Sequence, residues 1–295
     1  MFTVYLLADA GHCGEAVRKG LTLCAVTVIP SLFPFMIMTK YLLDCGFFDW
    51  MSSKIGRVTG RIFRVSPNAA PALICGVIAG FPLGAKTAAD LYTCGLCSQD
   101  ECERLMGFCN NCGPAFVIGC VGAALCGDVR IGITLYAAQL CSAITVGLAL
   151  RIGAKKPEIS ASGIHVYARG GSLVNAVGSS VTPMLTVCAF VVFFSVVGAA
   201  VEDLCALAGI GGLPMTVISG IIEITEGTMR IPHGNTVRSL ILNGAFIGWS
   251  GISVHMQSAA FAVPAGLKMR RYFLGKVLCG ILCPVFSVLI WKIFC

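Results

Sequence analysis

The stretch "GFPLGAKTAAD", residues 80–90, places a lysine inside a segment that is otherwise apolar and small. Over residues 65–99 the only formal charges are Lys86 and Asp90. Glycine and proline punctuate the middle of this segment and favour a tight turn there. We therefore predict a helical hairpin over residues 69–97, with the turn at its tip and Lys86 just inside the second arm.

The composition surrounding this stretch is that of a membrane protein. Of the 295 residues, 57% are hydrophobic and 12% are charged, and the mean hydropathy is +0.87, whereas soluble domains carry roughly twice that charged fraction. Several apolar runs approach or exceed the roughly 18 residues that suggest a bilayer span. These runs cover residues 21–43, 105–127, 131–150, 173–201, 239–267 and 277–291. The sequence predicts an all-α, multi-pass protein of the cell membrane.

The order of elements repeats along the chain, which predicts one membrane domain built from two repeats. Three pairs of strings align in order: "VIPSLFPF" (28–35) with "SVTPMLTV" (180–187), "ICGVIAGFPLGAK" (74–86) with "ISGIIEITEGTMR" (218–230), and "LYAAQLC" (135–141) with "RYFLGKVLC" (271–279). The predicted boundaries are repeat 1 at about 20–151, a cytoplasmic linker at 152–172, repeat 2 at about 173–295, and a second hairpin at 213–232.

Charge predicts that the repeats are inverted. If both hairpins are re-entrant, each half crosses the membrane three times, and most basic residues fall on one side, which the positive-inside rule makes cytoplasmic. Those residues are Lys54, Arg57, Arg61, Arg64, Arg104, Arg151, Lys155, Lys156, Arg169, Lys268, Arg270, Arg271 and Lys276.

A broken span is predicted in the first half at "CNNCGPAF", residues 109–116. Pro114 lacks an amide proton and clashes with the carbonyl four residues back, which frees the carbonyl of Asn110. Asn110, Asn111 and the freed carbonyls could coordinate Na⁺ or bind a substrate, and the alternative is a proline kink whose asparagines join neighbouring helices.

The second half offers a hairpin and a polar span. In "EITEGTMR" (223–230) a Glu226–Arg230 ion pair is expected at i, i+4, which leaves Glu223 to oppose Lys86, bind a cation or carry a proton. Lys86 itself is a functional candidate because intramembrane lysines are costly; the alternative is a lysine held by a nearby carboxylate. The span "NGAFIGWSGISVHMQ" (243–257) adds further polar side chains, including Ser250, Ser253 and His255.

Together "PSLFPF" (30–35), "GFPLGAK" (80–86), "NNCGPAF" (110–116) and "WSGISVHMQ" (249–257) resemble the YlbJ-type sporulation integral membrane proteins, which carry the nucleoside-recognition or gate domain. That family is similar to the concentrative nucleoside transporters. The resemblance implies two inverted repeats, each with a re-entrant hairpin and a broken helix. It also implies transport of dipicolinic acid across the outer forespore membrane during sporulation.

The hairpin tips and breaks supply the candidate residues, since paired broken segments mark the binding site of many transporters. The predicted substrate-binding residues are Gly84, Lys86, Thr87, Asn110, Asn111, Glu223, Glu226, Ser250 and Ser253. The predicted coupling-ion residues, for Na⁺ or H⁺, are Asn110, Glu223 and His255. We predict no cofactor, no catalytic residue and no metal site, because the pairs Cys94/Cys97 and Cys109/Cys112 lack further ligands.

Three other functions compete with this one. A nucleoside or nucleobase carrier is the nearest, because Asn, Gln, Glu and Ser also suit ribose and base edges. An intramembrane serine protease would need Ser250 and His255, which lie about 140° apart around one helix. A gate or scaffold without transport would tolerate loss of Lys86 and Glu223. The expected partners are a small-molecule substrate and the lipid bilayer; a homo-oligomer is compatible with the sequence, and no nucleic-acid partner is expected.

Overall fold

The computed structural model describes residues 3, 5, 7, 9–154, 157, 171–232, 234 and 236–294, and these form thirteen α-helices and no strand. The helices are α1 (Ala10–Leu23), α2 (Ile29–Asp44), α3 (Phe47–Phe63), α4 (Ala70–Ile78), α5 (Leu83–Thr93), α6 (Gln99–Cys109), α7 (Val129–Leu150), α8 (Leu173–Leu207), α9 (Gly212–Ile222), α10 (Ile224–Met229), α11 (Thr236–Trp249), α12 (Ile252–Ala262) and α13 (Arg270–Phe294). Two π-helical segments cover Cys24–Val28 and Ala115–Leu125.

Within the described part of the chain, four helical stretches are long and apolar enough to cross a membrane: α7, α8, α11 with α12, and α13. The segments Ala10–Val28 and Leu32–Leu42 meet at 52° and would make a fifth. Large apolar side chains such as Leu185 and Ile281 are about 60% exposed on α8 and α13, which suits a surface in contact with lipid. The predicted all-α, multi-pass membrane class is confirmed.

Both predicted hairpins are present as helix pairs. The helices α4 and α5 pack together and are joined by a tight turn in which Gly80 has a φ of 84°. The helices α9 and α10 also pack together and are joined at Glu223, whose backbone is extended. Their re-entry from one side of the bilayer and the inversion of the repeats stay predictions.

Both predicted breaks are present as well. Helix α6 ends at Cys109, residues 110–113 are not helical, and the chain resumes as a π-helical segment. Helix α11 ends at Trp249, and the next two residues, Ser250 and Gly251, have φ angles of 77° and 83° before α12 begins. In each half, therefore, one of these breaks interrupts the helix in the middle of an apolar stretch.

Each break lies across the tip of the hairpin of its own half. A Cβ placed on Gly76 or Gly84 would collide with the backbone carbonyl of Cys109, so only glycine allows α4 and α5 to approach the first break this closely. In the second half Gly251 lies against the backbone of Ile222 and Glu223. Glycine is thus required wherever a hairpin tip and a break make backbone contact.

One edge of the bundle is held by buried and half-buried charges near the start of α6. The Arg104 side chain is 3% exposed and donates to the carbonyls of Phe63 (3.2 Å) and Arg64 (2.9 Å), which caps the end of α3. Asp100 accepts from Arg104 (3.0 Å) and from Arg271 (2.5 Å) on α13. Partial burial alone would raise the pKa of Asp100, but the hydrogen bonds from the two arginines outweigh it and hold the pKa below its usual value.

Most of the predicted cytoplasmic linker, with Lys155, Lys156 and Arg169, lies outside the described residues. The charge pattern predicts Lys276 among the basic residues of the cytoplasmic side. That expectation is wrong, because its side chain is buried in the core and only 1% of the residue is exposed.

Candidate functional site

The two breaks are joined by Lys276, which reaches them from α13. Its ammonium donates to the backbone carbonyl of Asn110 in the first break and to the Ser250 hydroxyl in the second, the latter at 3.2 Å. Asn110 and Ser250 are both fully buried. The prediction that Pro114 frees the Asn110 carbonyl is confirmed, and the group that takes this carbonyl is a lysine.

A network of neutral polar groups surrounds this contact. The Asn110 amide donates to Ser258 at 2.8 Å, and its oxygen accepts from the backbone of Ala85 at 3.2 Å. Tyr272 donates to Ser258 at 3.3 Å, and its hydroxyl lies 2.9 Å from Nδ1 of His255. His255 is 1% exposed and its Nε2 has no hydrogen-bond partner among the described residues. Asn110 and His255 therefore belong to one buried cluster.

The peptide unit of Cys112, in the first break, is held by a side chain from α7. Gln139 accepts from the Cys112 amide at 2.9 Å and donates to its carbonyl at 3.0 Å. Asn111 donates back to the Phe108 carbonyl at 3.0 Å. Buried backbone groups need such partners when a helix is interrupted, so Gln139 and Asn111 stabilise the break.

Glu223 occupies the tip of the second hairpin. It is 7% exposed, and its carboxylate accepts from the Glu226 amide at 2.8 Å, which caps α10. Among the described residues it makes no ion pair. Glu223 borders two cavities, one of about 110 Å³ and one of about 360 Å³. Of the residues that the structure describes, it is the only ionisable one that lines both.

The smaller of these, the central cavity, lies between both hairpin tips, both broken spans, α8 and the chain from Leu23 to Phe35. Its aromatic wall consists of Phe35, Phe81 and Phe116. Its polar wall consists of Thr27, Glu223, Thr225 and Gln257. No described lysine or arginine lines it. Aromatic walls with a few convergent polar groups are typical of small-molecule sites.

The larger cavity, the acidic vestibule, lies between α1, the C-terminal part of α8 and the second hairpin. Its acidic lining residues are Glu15, Glu202, Asp203, Glu223 and Glu226. Its lining also includes His12, Lys19 and Arg230. The predicted Glu226–Arg230 ion pair is wrong: Arg230 pairs with Glu202 on α8 at 2.6 Å, because the neighbouring helix places a carboxylate within reach.

Lys86 and Thr87 line a different cavity of about 60 Å³, the side cavity, between α2, α5 and α8. The ammonium of Lys86 lies 2.7 Å from the carboxylate of Asp90, one turn along the same helix. The structure therefore agrees with the alternative interpretation, in which Lys86 is held by a nearby carboxylate. It does not bring Lys86 and Glu223 into one cavity.

The remaining predicted residues lie close to the breaks. Gly84 packs against Asn110. Ser253 is fully buried and accepts a hydrogen bond from the Gln257 side chain at 3.3 Å. Gln257 also lines the central cavity. Sequence reasoning missed Lys276, Tyr272, Gln139 and the three phenylalanines. Gln139 was detectable as the one amide side chain within the apolar run of α7, and Lys276 as a lysine two turns inside an apolar helix.

Most of the chain is similar to known proteins. A family model described as nucleoside recognition (Gate) matches residues 25–214, which include the first hairpin, the first break and α8. The sporulation integral membrane protein YlbJ of Bacillus subtilis (strain 168) is 28% identical over an alignment of 315 residues, which covers 94% of this chain and 77% of that protein. No solved structure matches.

Proposed function

Because this chain belongs to the nucleoside recognition (Gate) family, we propose that it is a membrane carrier for a small, planar, polar metabolite. Dipicolinic acid, moved across the outer forespore membrane during sporulation, is the substrate that we propose first. The sporulation role comes from the similar protein of Bacillus subtilis, whose name states it. The substrate comes from the resemblance of the motifs at the hairpin and the breaks.

One observation carries the carrier proposal: Glu223 lines both the central cavity and the acidic vestibule. A buried carboxylate between an internal cavity and a polar cavity is an expensive arrangement in an apolar protein, and such residues mark substrate or ion pathways. In this proposal Glu223, Thr225 and Gln257 contact the substrate, and the phenylalanine rings stack on its plane.

The lining charges specify how an anion could cross. The central cavity holds one carboxylate and, among its described lining residues, no lysine or arginine. A dianion would meet repulsion there, so dipicolinate should cross with protons or together with a cation. Glu223 is the group that would bind the accompanying H⁺, because it lies at the boundary that the substrate must pass.

A second candidate, a nucleoside or nucleobase carrier, is favoured by the same lining. Glu223 and Gln257 offer acceptors and a donor that suit base edges and ribose hydroxyls, and no cation is needed. The buried Ser250, in contrast, gives little support to a protease. Its hydroxyl accepts a hydrogen bond from Lys276 and donates one to the Ile247 carbonyl, whereas His255 is hydrogen-bonded to Tyr272. Neither Ser250 nor His255 lines the central cavity or the vestibule.

The test is flux into proteoliposomes of the purified full-length chain, with labelled dipicolinate and labelled nucleosides measured side by side. A pH gradient and a Na⁺ gradient are imposed separately. Saturable dipicolinate flux supports the first candidate, and saturable nucleoside flux alone replaces it with the second. If neither class is transported, the carrier proposal fails.

Two matched variants locate the site. Glu223→Gln should reduce flux about tenfold or more, since a buried hydrogen bond to a charged group contributes roughly 1.5–3 kcal/mol. Glu226→Gln removes a carboxylate of the vestibule three residues away and should have a smaller effect. Equal flux for Glu223→Gln and the unaltered protein, at equal insertion, would refute the proposed site.

A further inference from the structure

We infer that the ammonium of Lys276 is a built-in cation that occupies the place of a coupling Na⁺ between the two breaks, so that this chain works without Na⁺. The part of this inference that concerns transport rests on the proposed function. The part that concerns cation binding does not.

Lys276 lies on α13, outside both breaks, yet its Nζ contacts the backbone carbonyl of Asn110 in one break and the Ser250 hydroxyl in the other. Unwound carbonyls and hydroxyls are the oxygens that coordinate Na⁺ in carriers with broken helices. A single positive charge already sits on these oxygens, delivered by a side chain.

Lys276 is buried without a counter-charge among the described residues. Only 1% of Lys276 is exposed, and among the described residues no carboxylate lies within ion-pair distance of it. The polar side chains around the contact are Asn110, Ser250, Ser258, His255 and Tyr272. A buried ammonium is retained at such a cost when its charge has a role, and here the charge joins the two halves of the chain.

The ammonium of Lys276 excludes a second cation from the same oxygens. A Na⁺ bound to the Asn110 carbonyl would lie within a few ångströms of the ammonium, in a region where water does not screen the two like charges. The cation site predicted at Asn110 and His255 is therefore already filled. Glu223, which lies at the hairpin tip and borders both cavities, is left as the candidate for coupling to H⁺.

The experiment compares melting temperature and flux in NaCl with those in potassium chloride and choline chloride at equal ionic strength. For the unaltered full-length protein we expect the same melting temperature and the same flux in all three salts. A resident Na⁺ site at saturation would instead raise the melting temperature by several degrees. Such a rise, or flux that requires Na⁺, would overturn the inference.

Three variants extend the test. Lys276→Ala should lower the melting temperature and acquire a stabilisation by NaCl that choline chloride does not give, because the vacated oxygens can then take a free cation. Lys276→Arg retains a cation and should be closer to the unaltered protein. Lys292→Ala, which removes an exposed lysine from the same helix, is the control.

If Lys276→Ala does not accumulate while Lys276→Arg does, the requirement for a cation at this position is supported. If Lys276→Ala melts at the same temperature as the unaltered protein in every salt, the inference is refuted. The melting measurements need no substrate, so they stand even if neither dipicolinate nor nucleosides are carried.

Discussion

The two hairpins contain similar helices but differ in how they hold their charges. In the first, Lys86 is paired with Asp90 one turn away, and the tip packs by glycine against the backbone of the first break. In the second, Glu223 makes no ion pair among the described residues and borders two cavities. The first hairpin pairs its charge within its own helix, and the second places its carboxylate at two cavities.

The difference shows that a charge in an apolar stretch is not by itself a sign of function. Lys86 and Glu223 look equally anomalous in the sequence, but Lys86 has a counter-charge at i+4 on its own helix. The carboxylate of Glu223 caps α10 and borders the two cavities instead. The position of the nearest opposite charge decides which of the two is available for a substrate or proton.

The largest effect should come from filling the tip contact of the first hairpin. In Gly76→Ala the new Cβ would meet the rigid backbone carbonyl of Cys109, and we expect a loss of stability of about 3 kcal/mol or more. In Gly220→Ala, in the second hairpin, the obstacle is the ring of Phe246, a side chain that can rotate, and the loss should be about 1 kcal/mol.

Thermal melting in detergent measures both glycine variants against Gly119→Ala, where a Cβ has nothing within 4 Å. Equal losses at Gly76 and Gly220 would contradict the distinction between a backbone obstacle in the first hairpin and a side-chain obstacle in the second.

A smaller effect is expected from a double-mutant cycle on Lys86 and Asp90. Lys86→Met leaves Asp90 without its partner and should cost about 1 kcal/mol, since both side chains are partly exposed. The double variant Lys86→Met/Asp90→Asn removes both charges and should recover most of that stability. Flux of the double variant should stay close to normal, in contrast to Glu223→Gln.

This double-mutant cycle decides whether Lys86 binds the substrate or only forms the ion pair with Asp90. If the double variant recovers stability but loses flux as severely as Glu223→Gln, Lys86 binds the substrate, as its sequence context predicts. The contrast between the two hairpins would then be wrong.

The sequence contains most of the fold because membrane folding depends on apolar length and on backbone breaks. Long apolar runs predicted the spans, Gly80 predicted the first hairpin turn, and Pro114 predicted the freed carbonyl of Asn110. The inversion of the two repeats is inferred from the number of membrane crossings in each half, and it stays a prediction.

The site was less predictable because it depends on contacts between distant helices. Arg230 forms its ion pair with Glu202, 28 residues away, and not with Glu226 one turn away. The periodicity of the sequence does not predict a contact between separate helices. The sequence predicts Lys276 on the cytoplasmic side because Lys268, Arg270 and Arg271 precede it. Its helix, however, begins at Arg270 and runs inward, so six residues suffice to carry its side chain from the edge to the two breaks.

The smallest effect is expected at the edge of the bundle near the start of α6, where the two halves meet outside the apolar core. Asp100, in the first half, binds Arg271 of the second half, and its pKa lies below the usual value. A depressed pKa in the folded state stabilises the protein above the unfolded pKa of about 3.9, and this contribution is lost as the pH falls through the folded pKa. Asp100→Asn should therefore cost roughly 1 kcal/mol or less at neutral pH, because the carboxylate is partly exposed.

The pH profile of that difference is the decisive measurement, because it separates an ion pair that joins the halves from simple packing. The melting temperatures of the unaltered protein and Asp100→Asn should differ at neutral pH and converge as the pH falls below about 4. A difference that stays constant down to the lowest pH would mean that the carboxylate contributes no charge-dependent stability. The two halves would then be held together by the buried Lys276 contact and apolar packing, and the edge charges would serve only orientation in the membrane.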